Sequence, residues 1–190
     1  MGILGHFKDV YCSPSKGHND KSGNKFFSKS LVQNLEYFKR EFSDSIDLTI
    51  KYREISGVKS ALITIAGMVS KDTLTQSVML PIIKSDVKGT TSPEKYRFIR
   101  DNIVIASDQV EVYTFKDAIS LITSGSAVFA MDGCDCMLGL GVQGFPFRAV
   151  SEPSSEIMQR GSREGFVEPI MMNLPLIRRR IRSPKLKFEL

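Results

Sequence analysis

Hydrophobic residues recur at helical spacing along residues 27–42. Five large apolar side chains in this stretch fall within about 80° of one another on a helical wheel, which predicts an amphipathic helix with one buried face. The triplet Ser43, Asp44 and Ser45 then interrupts the pattern. The predicted core positions of this helix are Phe27, Leu31, Leu35, Phe38 and Phe42.

The next three elements differ in their hydrophobic period. Apolar and polar residues alternate over 47–55, which predicts a half-buried strand. Residues 60–66 are nearly all apolar or β-branched and predict a strand covered on both faces, which Gly67 ends. A helix over 71–83 follows, because its apolar residues return to the helical period. Its predicted inward row is Leu74, Val78 and Ile82.

Helices and strands continue to alternate in the second half of the chain. Ser92 as N-cap and Pro93 at the first helical position predict a helix start. Thr114 is predicted to cap another helix, which Gly125 ends. Strands or extended pieces are predicted over 110–112, 127–131, 136–142 and 147–150. This order of elements predicts an α/β fold with a mixed β-sheet flanked by helices.

Residues 166–182 combine an apolar stripe with a concentration of arginine. The stripe spans about 80° of a helical wheel, so we expect a C-terminal helix that buries it against the sheet layer. The arginines fan over three faces of this helix. Pro175 lies inside it and predicts a kink or two helical pieces near residues 173–175. The predicted buried stripe is Phe166, Ile170, Leu174, Ile177 and Ile181.

Charge changes this picture only at the C-terminal end. The net charge is +5, and residues 171–190 carry an excess of that size while the remainder is neutral. A nucleic-acid footprint over a whole face is therefore not supported. The arginines have three candidate partners: acidic side chains of the same domain, anionic lipid headgroups, and nucleic-acid phosphates. We favour pairing within the domain, with upstream acids as candidates. These acids are Glu152, Glu156, Glu164 and Glu168.

Catalytic and metal-binding patterns are weak. Both histidines, His6 and His18, lie within residues 1–26, which read as a flexible tail, so no Ser-His-Asp set is expected in the folded region. Their spacing around Cys12 fits no familiar metal site. Cys134 and Cys136 are expected to be buried or half-buried free thiols of a reducing compartment. We therefore predict no enzyme activity, no cofactor and no metal.

A resemblance to a known family rests on three features in one order: the run RGSREGFVE at residues 160–168, Asn173, and the run LIRRRIR at residues 176–182. Together they resemble the hallmark of the A subunits of bacterial spore germinant receptors, the GerA family. Weaker similarity extends over residues 43–190. The resemblance implies a soluble sensing and signalling domain that takes part in nutrient-triggered spore germination.

The resemblance also implies an organisation for the whole protein. Family A subunits lie in the inner spore membrane with germinant receptor B and C subunits as partners. This domain would face the spore core, on the cytoplasmic side, and would either bind a small nutrient ligand or only relay its binding. Residues 27–184 would form the α/β domain, as the first lobe of a two-lobed soluble domain. Residues 185–190 would begin a strand or linker to the second lobe.

Charged residues of the hallmark segment are the candidate functional site. Charges of both signs on one short segment predict an ion-pair and hydrogen-bond network. Such a network either holds the helix in one of two signalling positions or only clamps it to the sheet. The candidate residues are Arg160, Arg163, Glu164, Glu168, Asn173, Arg178, Arg179 and Arg180.

The alternative function is a nucleic-acid or anionic-membrane-surface binding domain that acts through the C-terminal Arg/Lys cluster. Its discriminating property is micromolar binding that weakens steeply with salt. Under the favoured interpretation no nucleic-acid partner is expected.

Overall fold

A five-stranded sheet with helices on both faces forms the fold in the computed structural model, which describes residues 24–106, 108–144, 166, 168 and 170–189. The strands are β1 (Leu48–Ile55), β2 (Val58–Ile65), β3 (Gln109–Val112), β4 (Ala127–Met131) and β5 (Met137–Leu140). The helices are α1 (Leu31–Glu41), α2 (Lys71–Leu74), α3 (Leu80–Lys84), α4 (Ser92–Phe98), α5 (Phe115–Thr123) and α6 (Ile170–Arg180). A π-helical turn, Thr75–Met79, joins α2 to α3, and another, Ile99–Ile103, extends α4.

The strands are ordered β1-β2-β4-β5-β3 across the sheet. Each pairing between these strands is antiparallel, so the α/β fold is confirmed but the predicted mixed sheet is wrong. Helices between strands suggested a parallel crossover. Instead, the connection between β2 and β4 returns to the end of the sheet at which β2 finished, and β4 runs back beside it.

One face of the sheet is covered by α1 and α5. The predicted row of α1 is confirmed, because all five of its apolar side chains are buried with inward residues of the strands. Phe115 at the start of α5 packs against other aromatic side chains of this layer. The centroid of its ring lies 4.8 Å from that of Phe27 and 5.3 Å from that of Phe38. This layer fixes the end of α1, where the chain turns towards β1.

The other face is covered by α2, α3 and α4. The predicted inward row Leu74, Val78 and Ile82 is confirmed as buried. Tyr96 of α4 is also buried there, and its ring stacks on Phe129 of β4 at 6.5 Å. The row continues through the π-helical turn that joins α2 to α3.

Helix starts follow local chemistry with one correction. Thr114 caps α5 as predicted, and its hydroxyl accepts a hydrogen bond from the Asp117 N–H at 3.2 Å. The N-cap of α4 is Thr91 and not Ser92, because Thr91 and Glu94 form a reciprocal capping box. Ser92 is the first residue of the helix itself.

Two residues of the predicted N-terminal tail contact the domain. Residues 1–23 lie outside the described residues, as does the predicted extended piece 147–150. Phe26 forms an isolated bridge with Thr114, and the Lys25 carbonyl accepts a hydrogen bond from the Phe115 N–H at 3.0 Å. Lys25 and Phe26, which the prediction placed in the tail, therefore pair with the domain.

The C-terminal helix differs most from its prediction. It covers Ile170–Arg180 rather than 166–182, and it continues through Pro175 as one helix, so of the two predicted alternatives the division into two pieces is wrong. Phe166 and Ile170 are 72% and 65% exposed, so the predicted apolar stripe is not the buried face. The buried side chains of α6 are Pro175 and Arg178, roughly 100° around the helix from that stripe. Tertiary partners therefore decide which face of α6 is buried.

Candidate functional site at Arg178

Arg178, in the last turn of α6, is fully buried at 0% exposure. It forms an ion pair with Asp47, the residue just before β1, which is 2% exposed. The contact is bidentate: Nε donates to Oδ2 and Nη2 donates to Oδ1, both at 2.9 Å. A bidentate arginine–carboxylate pair is both strong and geometrically demanding, so it fixes the position of α6 at the start of β1.

Two backbone carbonyls satisfy further donors of the same guanidinium. Nη1 donates to the Ser183 carbonyl at 2.8 Å, and Nη2 donates to the Leu186 carbonyl at 2.9 Å. Residues 183–189, called the C-terminal segment below, thus fold back over Arg178. A buried charge is tolerated only when its hydrogen-bonding groups are satisfied in this way.

Phe188 fastens the C-terminal segment to the turn before β1. Its N–H donates to Ser45 Oγ at 2.9 Å, and its carbonyl accepts from the Ile46 N–H at 3.2 Å. Arg178 Cζ lies 5.1 Å from the centroid of the Phe188 ring and 6.0 Å from that of Phe42. The two rings lie within cation–π range of the guanidinium, so they shield the pair while favouring its charge.

The turn after α1 delivers Asp47 to this place. Ser43 and Asp44 adopt positive φ angles of 50° and 52°, which reverse the chain at the end of α1. The Asp47 carbonyl accepts a hydrogen bond from the Ala66 N–H at 2.8 Å and thereby ties Asp47 to the end of β2. Ser45 Oγ donates to Asp47 Oδ1 at 2.6 Å. One hydrogen bond to the backbone of Asp47 and one to its side chain therefore hold the carboxylate in position for Arg178.

A glycine allows α6 to approach the sheet. Gly67 follows β2 with φ +79°, a left-handed conformation that favours glycine. A Cβ on Gly67 would lie 2.3 Å from Cγ of Pro175, so the proline packs directly on the glycine backbone. Pro175 and Arg178 together form the docking face of α6. We call Ser45, Asp47, Arg178 and the C-terminal segment the latch.

The structure describes five of the eight residues of the predicted network. Arg178 lies at the centre of the latch, and its partner is Asp47 rather than the upstream acids that the sequence suggested. Glu168 and Arg180 are exposed, whereas Asn173 and Arg179 are half-buried. Arg160, Arg163 and Glu164 lie outside the described residues, as do Glu152 and Glu156.

Sequence reasoning missed Asp47 and Ser45. They are separated from Arg178 by more than a hundred residues, and the residue numbers of Asp47 and Arg178 differ by 131. The available signal was local: an acid next to a predicted helix break, immediately before a strand. That signal identifies a turn but names no partner.

The described ranges contain neither a helix that could span a membrane nor a metal-binding cluster. Within them, no helix is long and apolar enough to span a bilayer. Over the same ranges, no cluster of histidine, cysteine or carboxylate side chains is arranged to hold a metal ion.

Comparison with known proteins places these features in a family. The family model described as Bacillus/Clostridium GerA spore germination protein matches residues 36–190, which include both partners of the latch. Spore germination protein KA of Bacillus subtilis (strain 168) is 30% identical over 166 residues, covering 85% of this chain and 30% of that protein. Spore germination protein B1 of the same organism is 29% identical over 161 residues, covering 82% of this chain and 32% of that protein. The chain therefore spans about a third of the length of these curated relatives.

A solved structure has the same fold. It is the crystal structure of the N-terminal domain of the A subunit of the Bacillus megaterium spore germinant receptor GerK3. The TM-score is 0.65 at 20% identity, and the match covers 87% of this chain and 60% of that one. The family match confirms the resemblance read from the hallmark segment: this chain belongs to the GerA family of Bacillus/Clostridium spore germination proteins.

Proposed function

We propose that this chain is the sensing and signalling domain of a spore germinant receptor A subunit, and that the latch relays the signal. The domain takes part in nutrient-triggered germination and has no enzymatic role of its own. Family membership supports the biological process. The buried Arg178–Asp47 pair is the single observation that carries the relay mechanism.

The position of the pair in the chain suits a relay. Arg178 connects the start of β1 to a segment near the opposite end of the sequence. In the curated relatives a matched stretch of this length accounts for about a third of the protein, so a larger part lies outside it. A movement of the C-terminal segment is then the direct way for this domain to communicate with the remainder of such a protein.

The energetics of a buried pair favour two discrete positions. A partly withdrawn Arg178 would leave the Asp47 carboxylate buried without its partner, which is costly. The segment is therefore either docked with its hydrogen bonds made or released with both charges hydrated. Bistable elements of this kind convert small shifts into larger movements.

The outward face of α6 supports an assembly role for the same helix. Ile170 and Ile181 are 65% and 49% exposed, and Leu174 and Ile177 lie half-buried on the same side. An apolar helix face of this kind commonly marks a contact surface. We propose that it packs on the remainder of the A subunit, as part of a second lobe, so that release of the latch moves that lobe.

The remaining features of the proposal come from the family. The parent receptor would lie in the inner spore membrane with B and C subunits, and this domain would face the spore core. The charged network would extend from the latch to the other hallmark residues. Those residues are Arg160, Arg163, Glu164, Glu168, Asn173, Arg179 and Arg180.

The test compares variants of the latch in the full-length receptor in spores. Phe188→Ala removes the ring over the guanidinium but leaves the ion pair, and Ser45→Ala removes one hydrogen bond to Asp47. We expect normal receptor levels by immunoblot with a changed rate of germinant-triggered loss of optical density. Arg182→Gln, four residues beyond Arg178 and exposed, is the matched control that should change neither quantity.

A parallel loss of receptor level and germination in both latch variants would show that the latch only clamps the helix. Normal level and normal germination in both would exclude the relay. The polyanion alternative has less support, because Arg178 is turned inward and Lys187 pairs with Glu189. Salt-steep binding of this chain to random DNA or anionic liposomes at micromolar concentration would revive it.

A further inference from the structure

A cavity of about 310 Å³ opens between the β1–β2 hairpin and the helical stretch of α2 and α3. It lies at the end of the hairpin opposite to the latch. Its floor consists of apolar side chains that belong to the core of this sheet face yet leave the space between them unfilled. These side chains are Ile55, Leu62, Val78, Ile82 and Phe129. A volume at the lower end of the usual range for ligand pockets suits a small metabolite.

The π-helical turn Thr75–Met79 contributes to the wall of the cavity. Val78 and Met79 both line it, and they belong to this turn rather than to a regular α-helix. A π-helical turn closes its hydrogen bonds between residues five apart instead of four, and such turns are frequent at functional sites. The irregular helix and the open space therefore coincide.

The charged side chains at the mouth are mostly of one sign. Arg53 and Glu54 both line the cavity, but successive residues of a strand point to opposite faces. Arg53 shares the face of Ile55, which packs in the core beneath the cavity, whereas Glu54 points to the other face. Lys95 adds a second cation, because its Nζ donates to the carbonyl of Ser56, another residue of the rim, at 2.8 Å.

Arg53 is available for a ligand. It is exposed, and its Nη1 donates to the carbonyl of Tyr52 at 3.1 Å. Among the described residues no carboxylate forms an ion pair with it. Ser85, also on the rim, donates its hydroxyl to the Pro81 carbonyl at 2.6 Å, so this hydroxyl keeps only acceptor capacity. The guanidinium is thus the strong donor at the mouth.

We propose that this cavity binds a small molecule with a branched or cyclic apolar body and one carboxylate group. The apolar body occupies the floor, and the carboxylate lies against the Arg53 guanidinium, which matches its geometry. A free ammonium group on the ligand would face Arg53 and Lys95 with no acidic side chain directed at it from the cavity lining. A simple carboxylate should therefore bind better than the zwitterionic amino acid of the same skeleton. This site is independent of the latch.

The experiment titrates the chain with four probes and follows its amide signals by heteronuclear NMR. The probes are 4-methylpentanoate, its uncharged amide, leucine, which has the same skeleton with an added ammonium group, and acetate, which lacks the apolar body. We expect saturable shifts at the cavity lining with 4-methylpentanoate, and binding weaker by about tenfold or more for each of the other three.

Two variants assign the carboxylate contact. Arg53→Gln should weaken 4-methylpentanoate binding by about tenfold or more while leaving the amide unchanged. Lys51→Gln is the matched control: Lys51 is exposed, lies two residues away on the same strand face, and does not line the cavity. The Lys51→Gln variant should bind 4-methylpentanoate with the same affinity as the unmodified chain.

Several outcomes overturn the proposal. Absence of saturable shifts with 4-methylpentanoate removes the site. If the amide binds as tightly as 4-methylpentanoate, the carboxylate charge has no role in binding. If leucine binds more tightly than 4-methylpentanoate, the proposed ligand class is wrong. Equal weakening by Lys51→Gln and Arg53→Gln would indicate unspecific attraction to the surface of β1.

Discussion

The β1–β2 hairpin has an arginine at each end, and the two differ in almost every respect. Arg178 reaches the start of β1 from a distant helix, is fully buried, and donates to a carboxylate and two carbonyls. Arg53 belongs to β1 itself, is exposed, and donates to the neighbouring carbonyl of Tyr52. The same side chain is thus part of the architecture at one end and open to a partner at the other.

The difference follows from what surrounds each charge. Removing a guanidinium from water costs several kcal/mol, and only good geometry with further hydrogen bonds offsets that cost. At Arg178 three residues from two separate parts of the chain supply acceptors. At Arg53 water remains the main partner, so the side chain retains its freedom at little cost. Removal of each arginine should therefore have very different consequences.

Substitution of Arg178 should have the largest effect on stability. Arg178→Met keeps much of the side-chain volume but leaves the Asp47 carboxylate buried without its cation, which we expect to cost about 3–5 kcal/mol. Urea denaturation followed by circular dichroism measures this. The double variant Arg178→Met, Asp47→Asn should cost less than the sum of the two single changes, because the pair is removed as a unit. Additive costs would show that the pair is not coupled.

Two glycines at opposite ends of β2 sharpen the comparison. Gly57 and Gly67 share a φ of +79°, but a Cβ on Gly57 meets nothing within 4 Å, whereas one on Gly67 would collide with Pro175. Gly57→Ala should cost about 1 kcal/mol of backbone strain. Gly67→Ala should cost about 1–3 kcal/mol more, because α6 must also move.

Thermal and urea unfolding of both glycine variants measure that difference. The same two glycine substitutions in a Pro175→Ala background provide the control. Pro175→Ala removes the ring atom with which the new Cβ at position 67 would collide, but the backbone strain at both glycines remains. Equal costs for Gly57→Ala and Gly67→Ala in the unmodified background would contradict the docking of α6 on Gly67.

Local features of the fold were readable from the sequence. The inward rows of α1 and of the α2–α3 stretch, the cap at Thr114 and the buried strand β4 each depend on residues within one or two turns of one another. Periodicity and capping chemistry act over that distance, so a single sequence contains the signal. The hallmark segment likewise identified the family from an ordered run of residues.

Features that depend on distant partners were not readable. The apolar stripe of α6 has a strong helical period, but Pro175 and Arg178 occupy the interface because Gly67 and Asp47 lie where they can receive them. The antiparallel sheet depends on how the connection between β2 and β4 returns, and hydrophobic pattern does not encode that path. The cavity near Arg53 arises only when helix and hairpin are brought together.

Ser45 should contribute an intermediate amount to stability. Its hydroxyl donates to Asp47 and accepts from the Phe188 N–H, so Ser45→Ala removes two hydrogen bonds from the latch. We expect a cost of about 1–2 kcal/mol, because one of the partners is charged. Hydrogen exchange should show faster exchange at Phe188 and Ile46 before any global unfolding. Ser120→Ala, at an exposed position of α5, is the control, whereas Ser43→Ala is unsuitable because Ser43 has a positive φ.

Arg53→Gln should have the smallest effect on stability, within about 0.5 kcal/mol of the unmodified chain. The guanidinium is hydrated and donates one hydrogen bond to an adjacent backbone carbonyl, so its loss leaves no buried group without a partner. Urea denaturation of Arg53→Gln beside Lys51→Gln measures this directly. A cost near that of Arg178→Met would show that Arg53 is a structural residue, and the contrast between the two ends of the hairpin would disappear. Unchanged stability together with lost carboxylate binding would show that one end of β1 is used to hold the fold and the other to receive a ligand.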